Sequence, residues 1–146
     1  MLGQYRIVSE IFIFGIGLVI ASFVAVTFDD MRVSISESSA RDQMVSVANV
    51  ISSSLIKAMA GGTTIRLQVP ETISGEVYII SFQSSNGDAC IISNCMLRLT
   101  TVERRITVTQ QLFNISQSHI INGNVYSSAR YIEISSSGNV ITVERA

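Results

Sequence analysis

The side chains that could carry out chemistry are few, and their spacing does not form a catalytic motif. The 146-residue chain has one histidine, His119, two cysteines, Cys90 and Cys95, and no tryptophan. It contains neither a G-x-S-x-G sequence around a serine nucleophile nor the G-x-x-x-x-G-K-S/T sequence of a phosphate-binding loop. Since a lone histidine is usually a surface residue, the sequence predicts no enzymatic activity, no metal site and no bound cofactor.

Cys90 and Cys95 are separated by the sequence Ile-Ile-Ser-Asn. This spacing differs from C-x-x-C, and no further cysteine or suitable histidine is close in the chain, so zinc binding and thioredoxin-like chemistry fit poorly. Two close cysteines in an exported domain are typical of a disulfide, and a pair of reduced, buried cysteines is the alternative. We expect a Cys90–Cys95 disulfide.

A possible modification site occurs at Asn114. The tripeptide Asn114-Ile115-Ser116 is the only N-x-S/T sequence in the chain. It can accept an N-linked glycan only if this part of the protein lies outside the cell. Asn114 is therefore a glycosylation candidate that depends on location.

The chain is poor in charge. Charged residues make up 14% of it, against about 25% in an average soluble protein. Ten basic and eleven acidic residues leave a formal net charge of −1, and Lys57 is the only lysine. Because a nucleic-acid surface needs a stripe of positive charge, the composition argues against a nucleic-acid partner.

An almost purely apolar segment lies near the N-terminus. From Ile7 to Phe28 the only charged residue is Glu10. Twenty-two helical residues extend about 33 Å, enough to cross a hydrocarbon core of about 30 Å. Arg6 alone precedes the segment, and Asp29-Asp30 follows it without a signal-peptidase motif. We expect a retained membrane span with the N-terminus inside and the C-terminus outside.

Small and acidic side chains occupy regular positions inside this segment. Gly17, Ala21 and Ala25 follow one another at intervals of four residues, a spacing that lets two membrane helices approach closely. Glu10 lies about one turn inside the segment, where an unpaired carboxylate is costly. It either pairs with Arg6 four residues earlier or contacts the N-terminus of a neighbouring subunit. We therefore take Glu10, Gly17, Ala21 and Ala25 as candidate assembly residues.

The helical pattern continues beyond the apolar segment. Apolar residues recur at spacings of three and four and form one stripe: Met44, Val47, Ala48, Ile51, Leu55 and Met59. No proline occurs before residue 70, and Gly61-Gly62 is typical of a helix end. The sequence predicts a helical region at 1–62, with a span at about 7–28 and an amphipathic second half that covers a sheet.

The hydrophobic period changes to two from residue 63 onwards. Alternating segments lie at 64–69, 76–82, 96–100, 105–109, 131–134 and 140–143. Turn sequences separate them, and Asn86-Gly87 and Asn122-Gly123 are strong hairpin signals. About seven strands in residues 63–146 predict an outward-facing domain that is a small antiparallel β-sandwich or partly open barrel. The predicted fold class is thus α+β, a long N-terminal helix followed by a β domain.

The N-terminal sequence also carries a family resemblance. The segment Arg6-Ile-Val-Ser-Glu-Ile-Phe is followed by Phe14-Gly15-Ile16-Gly17 and opens a span that runs into a long helix and a terminal β domain. This arrangement resembles archaeal type IV pilin-like proteins, a group of pilins, archaellins and archaellum stator proteins. The resemblance implies a pilin-like fold with the span as assembly element. Gly3-Gln4 is similar to the junction that an archaeal prepilin peptidase cuts.

Three hypotheses about function follow. The first is a structural subunit of an archaeal type IV pilus-like filament for adhesion or motility, a homopolymer whose helices form the core and whose β domains form the sheath. The second is an unpolymerised, membrane-anchored archaellum stator-type protein that binds the surface layer or other filament proteins. The third is a single-span envelope protein whose β domain binds a ligand or displays an adhesin surface. All three place the chain in the cell membrane or at the extracellular surface.

Overall fold

The chain folds as one long helix followed by two small β-sheets. The computed structural model describes residues 2–84, 90–91, 95–112 and 119–146, with side chains from residue 7 onwards except Ile91. Helix α1 spans Leu2–Gly61. The chain divides into two compact units, residues 1–37 and residues 38–146, which we call the N-terminal unit and the C-terminal unit. The predicted α+β layout, with a long apolar N-terminal helix before the sheets, is confirmed.

Helix α1 ends where the sequence predicts. Gly62 adopts a φ of 55°, a left-handed conformation that glycine reaches without steric cost. The Gly62 N–H donates to the Met59 carbonyl oxygen at 3.4 Å, and the Thr63 N–H donates to the Ala58 carbonyl oxygen at 3.3 Å. These two bonds form a Schellman motif, which satisfies the last carbonyls of the helix and turns the chain towards the first strand.

Nine strands follow in the described part of the chain. They are β1 (Ile65–Gln68), β2 (Tyr78–Ser84), β3 (Cys90–Ile91), β4 (Cys95–Thr101), β5 (Thr107–Gln111), β6 (Ile120–Asn122), β7 (Asn124–Tyr126), β8 (Tyr131–Ser137) and β9 (Val140–Arg145). A five-stranded sheet has the order β1-β8-β9-β6-β3, and a four-stranded sheet has the order β5-β4-β2-β7. Every described pairing is antiparallel except β6–β9, which is parallel.

The second half of α1 and both sheets build the core of the C-terminal unit. The predicted stripe is buried, since Met44, Ile51 and Leu55 have no exposed surface. The same apolar cluster contains strand residues of both sheets: Ile80, Leu97, Leu99, Ile132, Ile134 and Ile141. All buried members of this cluster lie between Ala40 and Val143, so the whole of the described hydrophobic core belongs to the C-terminal unit.

A buried polar network fixes the segment between β1 and β2. The Ser127 hydroxyl accepts a hydrogen bond from the Tyr78 N–H at 3.0 Å and donates to the Glu71 carbonyl oxygen at 2.7 Å. The Tyr78 hydroxyl donates to the Pro70 carbonyl oxygen at 2.9 Å. Burial raises the pKa of the Tyr78 hydroxyl above its ordinary value, so the group keeps its proton and remains a donor.

The chain passes from one sheet to the other at Gly123. This single residue separates β6, in the five-stranded sheet, from β7, in the four-stranded sheet. A Cβ atom on Gly123 would collide with the Val143 carbonyl oxygen and would lie 2.8 Å from the Val143 Cβ atom. The prediction of a hairpin at Asn122-Gly123 is therefore wrong, because the chain crosses between sheets there. The predicted Asn86-Gly87 hairpin lies outside the described residues.

The predicted disulfide is present. Cys90 and Cys95 are bonded, with their Cα atoms 4.9 Å apart, and the structure has no free cysteine. Cys90 opens β3 and Cys95 opens β4, and the two residues are 1% and 0% exposed. The bond thus lies in the core of the C-terminal unit, where its burial shields it from reductants.

We expect Gly123→Ala to lower the free energy of unfolding by about 1–3 kcal/mol, the usual cost of overpacking a close contact. The added methyl group has to displace the Val143 backbone. Urea unfolding of the full chain in detergent, followed by tyrosine fluorescence, measures the change. Asn124→Ala, which shortens an exposed side chain nearby, is the control and should change stability by less than about 0.5 kcal/mol. An equal decrease in the free energy of unfolding in both variants would contradict a specific need for glycine at the crossing.

We expect the intact mass without reductant to be about two daltons below the reduced mass, because the disulfide lacks two thiol hydrogens. Since both cysteines are buried, a reductant should leave this mass unchanged in native protein and raise it after denaturant is added. Loss of so short a ring should cost about 2 kcal/mol in the loop-entropy model, so the reduced C-terminal unit should still fold. Two free thiols in freshly isolated native protein would contradict the disulfide.

Candidate assembly surface on the N-terminal helix

The described part of the N-terminal unit is a helical segment whose large apolar side chains are all exposed. Every large apolar residue between Ile7 and Ile35 is at least 43% exposed, with Phe14, Val19 and Phe23 at 70%. The helix is long and apolar enough to cross a membrane. A helix that is hydrophobic on all sides requires a non-aqueous environment, either lipid or other helices. This surface is therefore the first candidate for a functional surface.

Two hydroxyl side chains of this segment, those of Ser22 and Thr27, are hydrogen-bonded within the helix. The Ser22 hydroxyl donates to the Leu18 carbonyl oxygen at 2.8 Å. The Thr27 hydroxyl lies 3.0 Å from the Phe23 carbonyl oxygen and 2.9 Å from that of Val24. Because these hydroxyls need no water, they can enter an apolar environment without leaving an unpaired donor.

The candidate assembly residues lie on one side of α1. At 100° per residue, Glu10, Gly17, Ala21 and Ala25 fall within an arc of about 80° and extend over about 22 Å of helix. Gly17 has open space around it, since no atom lies within 4 Å of the position that a Cβ would take. The stripe therefore offers a shallow surface against which another helix can pack closely.

The same side continues past the predicted span, which the sequence interpretation missed. Val24, Phe28, Met31 and Ile35 are 43%, 62%, 61% and 63% exposed. Their spacing of four, three and four residues confines them to an arc of about 60° that overlaps the arc around Gly17. Asp29, Asp30 and Arg32 lie between these apolar residues, so the mean hydropathy of the segment is low. The helical spacing of the apolar residues, by contrast, would have revealed the stripe. We call the eight residues on this side of the helix the assembly face: Glu10, Gly17, Ala21, Val24, Ala25, Phe28, Met31 and Ile35.

The two explanations for Glu10 remain open. Its carboxylate lies on an exposed part of the helix. Among the atoms that the structure describes, the Glu10 carboxylate has no hydrogen-bond or ion-pair partner. The Arg6 side chain is not among the described ones, so an Arg6–Glu10 pair remains a prediction. Gly3 and Gln4 lie in the helical backbone of α1 without described side chains, and cleavage between them is likewise a prediction.

The remaining chemical candidates do not form a cluster among the described residues. Within the described ranges, no group of three or more histidine, cysteine, aspartate or glutamate residues is placed to hold a metal ion. His119 is half-buried, and its Nδ1 atom has no partner among the described atoms. Asn114 lies in 113–118, outside the described residues.

Comparison with known proteins adds no relative: no family model matches the chain, and neither a curated protein nor a solved structure matches it significantly.

We expect the full chain to sediment with membranes or filaments and to need detergent or shear for release, because residues 7–35 expose a continuous apolar surface. A chain that begins at Ser38 should remain in the soluble fraction and unfold cooperatively, since the described core lies within it. Centrifugation of both chains, with circular dichroism of the shorter one, tests this. Full-length protein in a clarified, detergent-free lysate would contradict the expectation.

Proposed function

We propose that the protein is a non-enzymatic structural subunit of an archaeal type IV pilus-like surface filament. In this filament the N-terminal units bundle into the core and the C-terminal units form the outer sheath. One observation carries the proposal: α1 exposes apolar side chains on all sides from Ile7 to Phe28 and on one side as far as Ile35, and the same helix continues into the core of a folded domain. An exposed apolar surface of this size favours burial in lipid or against other helices.

The length of the apolar surface favours helical partners in addition to lipid. Residues 7–35 extend about 44 Å, whereas the hydrocarbon core of a bilayer is about 30 Å thick. Met31 and Ile35 would then lie beyond the lipid, on the assembly face. Lipid cannot cover them, but a neighbouring helix that packs along the whole face can.

The composition of the assembly face supports association between copies. Gly17, Ala21 and Ala25 permit a close backbone approach, and Phe28 and Met31 provide larger side chains further along. A helix that uses one face to contact a different face of the next copy forms an open helical assembly. Glu10, at the N-terminal end of this face, could then pair with the N-terminal amine of a neighbouring copy.

The disulfide of the C-terminal unit fits the proposed location of this unit outside the cell. A disulfide such as Cys90–Cys95 persists in an oxidising environment, as expected for a domain outside the cell. Before assembly the span would hold the subunit in the membrane with its N-terminus inside. Contacts with the surface layer or with other filament proteins would then involve the C-terminal unit.

A membrane-anchored protein that does not polymerise, such as a stator-type or envelope-binding protein, is the second candidate. The charges Asp29, Asp30 and Arg32 favour it, because they follow a segment of span length, as expected at a membrane surface. In that case lipid alone covers residues 7–28, and the assembly face has no partner to recognise. The two candidates therefore differ in their sensitivity to changes on that face.

Gly17→Leu separates the candidates. Leucine keeps the span apolar and favours a helix, so insertion into the membrane should be normal. Its side chain would separate helices that meet along the assembly face, and a penalty of about 1.4 kcal/mol per contact reduces association about tenfold. We expect normal membrane levels with filaments lost or sharply reduced, measured by immunoblotting of membranes and by electron microscopy of cells.

Gly15→Leu is the matched control, since Gly15 also has no atom within 4 Å of its Cβ position and lies about 160° around the helix from Gly17. It should leave the filament number closer to wild type. Wild-type filaments in the Gly17→Leu strain would count against packing along this face. A wild-type strain without any filament containing this protein would remove the proposal in favour of the anchored candidate.

A further inference from the structure

The C-terminal unit has a cleft at the corner where the chain changes sheets. The cleft has a volume of about 500 Å³ and lies between β7 and the last residues of β9, beside Gly123. The close passage of Gly123 over Val143 brings the two strands together at one end. Beyond Gly123, β7 belongs to the four-stranded sheet and β9 to the five-stranded sheet. The two strands therefore separate and leave the cleft between them open to solvent.

Unpaired strand edges form the walls of this cleft. Among the described strands, β7 is an edge strand that pairs with β2 alone. On the other wall, β6 ends with Asn122 opposite Thr142, so residues 143–145 of β9 pair only with β8 in the described part of the chain. Backbone N–H and C=O groups of both short segments are therefore available to a small ligand.

The side chains around the cleft combine one aromatic ring with neutral polar groups. Tyr126 is 54% exposed on the rim. Asn122, Asn124, Ser128 and Thr142 also line the cleft, and their side chains are neutral hydrogen-bonding groups. Val125 and Val143, which also line the cleft, are buried and form its apolar base.

A carboxylate completes the set of polar groups. Glu144 is exposed and lines the cleft next to Arg145. No hydrogen bond or ion pair occupies the side chain of either residue within the described ranges. Glu144 is thus an acceptor that is available to a ligand hydroxyl, and a single arginine leaves the cleft with little net charge.

We propose that this cleft binds a small neutral saccharide of one or two sugar rings. A sugar ring has an apolar C–H face, which can lie against the exposed Tyr126 ring, and hydroxyls that both donate and accept hydrogen bonds. Asparagine amides offer both donors and acceptors, and the Glu144 carboxylate accepts. The volume falls within the range of small-molecule sites.

Other ligand classes fit the cleft less well. A peptide strand would gain few backbone hydrogen bonds, because each free edge is about three residues long. A nucleic acid or another polyanion would meet one arginine beside a carboxylate rather than a basic stripe. The saccharide proposal concerns the C-terminal unit alone and does not depend on filament assembly.

Saturation-transfer NMR on the full chain tests the proposal. The protein is held in a detergent without a sugar head group, because a glycosidic detergent would compete for the cleft. The probes are glucose, galactose, mannose, N-acetylglucosamine, maltose and lactose, with an extended tetrapeptide of neutral residues as a comparison. We expect saturation transfer to the ring protons of at least one saccharide and none to the tetrapeptide.

Paired variants place the binding in the cleft. Tyr126→Ala should weaken binding of the responding saccharide about tenfold, as for the loss of a central aromatic contact, whereas Tyr126→Phe should retain most of the affinity. Glu144→Gln should weaken binding several-fold, and Glu103→Gln, which changes an exposed carboxylate outside the cleft lining, should leave it unchanged. Unfolding midpoints of all four variants establish that each is folded.

Three outcomes would overturn the proposal. The first is no saturation transfer to any saccharide in the panel. The second is transfer that is equal in wild type and Tyr126→Ala, which would place binding elsewhere. The third is transfer to the tetrapeptide alone, which would assign the free strand edges to a peptide.

Discussion

The structure depends on one constraint: about half of its helix carries large apolar side chains, all of which are exposed in the part of the chain that the structure describes. Burial of one large apolar side chain is worth about 1.5–3 kcal/mol, so the exposed residues from Ile7 to Ile35 together represent on the order of tens of kcal/mol. A folded domain is typically stable by only about 5–15 kcal/mol. The environment of this surface, lipid or neighbouring helices, therefore dominates the free energy of the whole chain. The rest of the molecule has to remain folded in either environment.

The C-terminal unit meets this requirement because its core is independent of the exposed surface. Residues 38–61 of α1 place Met44, Ile51 and Leu55 among the strands, and the Schellman motif at Gly62 then directs the chain into β1. Cys90–Cys95 and the Tyr78–Ser127 hydrogen bond join segments that are close in the same core. No described member of that core lies before Ala40. A change of surroundings at residues 7–35 can thus leave the second unit intact.

The sequence predicts the parts of this fold that repeat over many residues. The stripe from Met44 to Met59 repeats over several turns, and the longer strands alternate over enough positions to be recognised. The predicted boundary at residue 62 follows secondary structure, whereas contacts divide the chain after Glu37 because residues 38–61 belong to the core. Strands β3, β6 and β7 have only two or three residues each, too few to display an alternation.

The crossing at Gly123 shows a different limit of sequence interpretation. Asn-Gly has the same local preference for a tight turn whether the next strand pairs with the previous one or enters another sheet. The distinction arises from the contact between Gly123 and Val143, which are distant in sequence. The cleft beside this crossing was equally hidden, because Tyr126 and Glu144 are distant in sequence and line one cleft only through the sheet topology. The assembly face, by contrast, lies on one helix, so its position follows from spacing alone.

The scarcity of charge is consistent with both proposals. In a filament of identical subunits, any large net charge repeats with every copy and opposes packing, whereas a net charge of −1 adds little repulsion. A soluble monomer normally gains from net charge, which keeps copies apart, so this composition suits a protein whose copies assemble. Neutral polar residues, Asn122, Asn124, Ser128 and Thr142, line the cleft beside Tyr126. One composition can therefore favour association between copies and provide the neutral hydrogen-bonding groups that a saccharide requires.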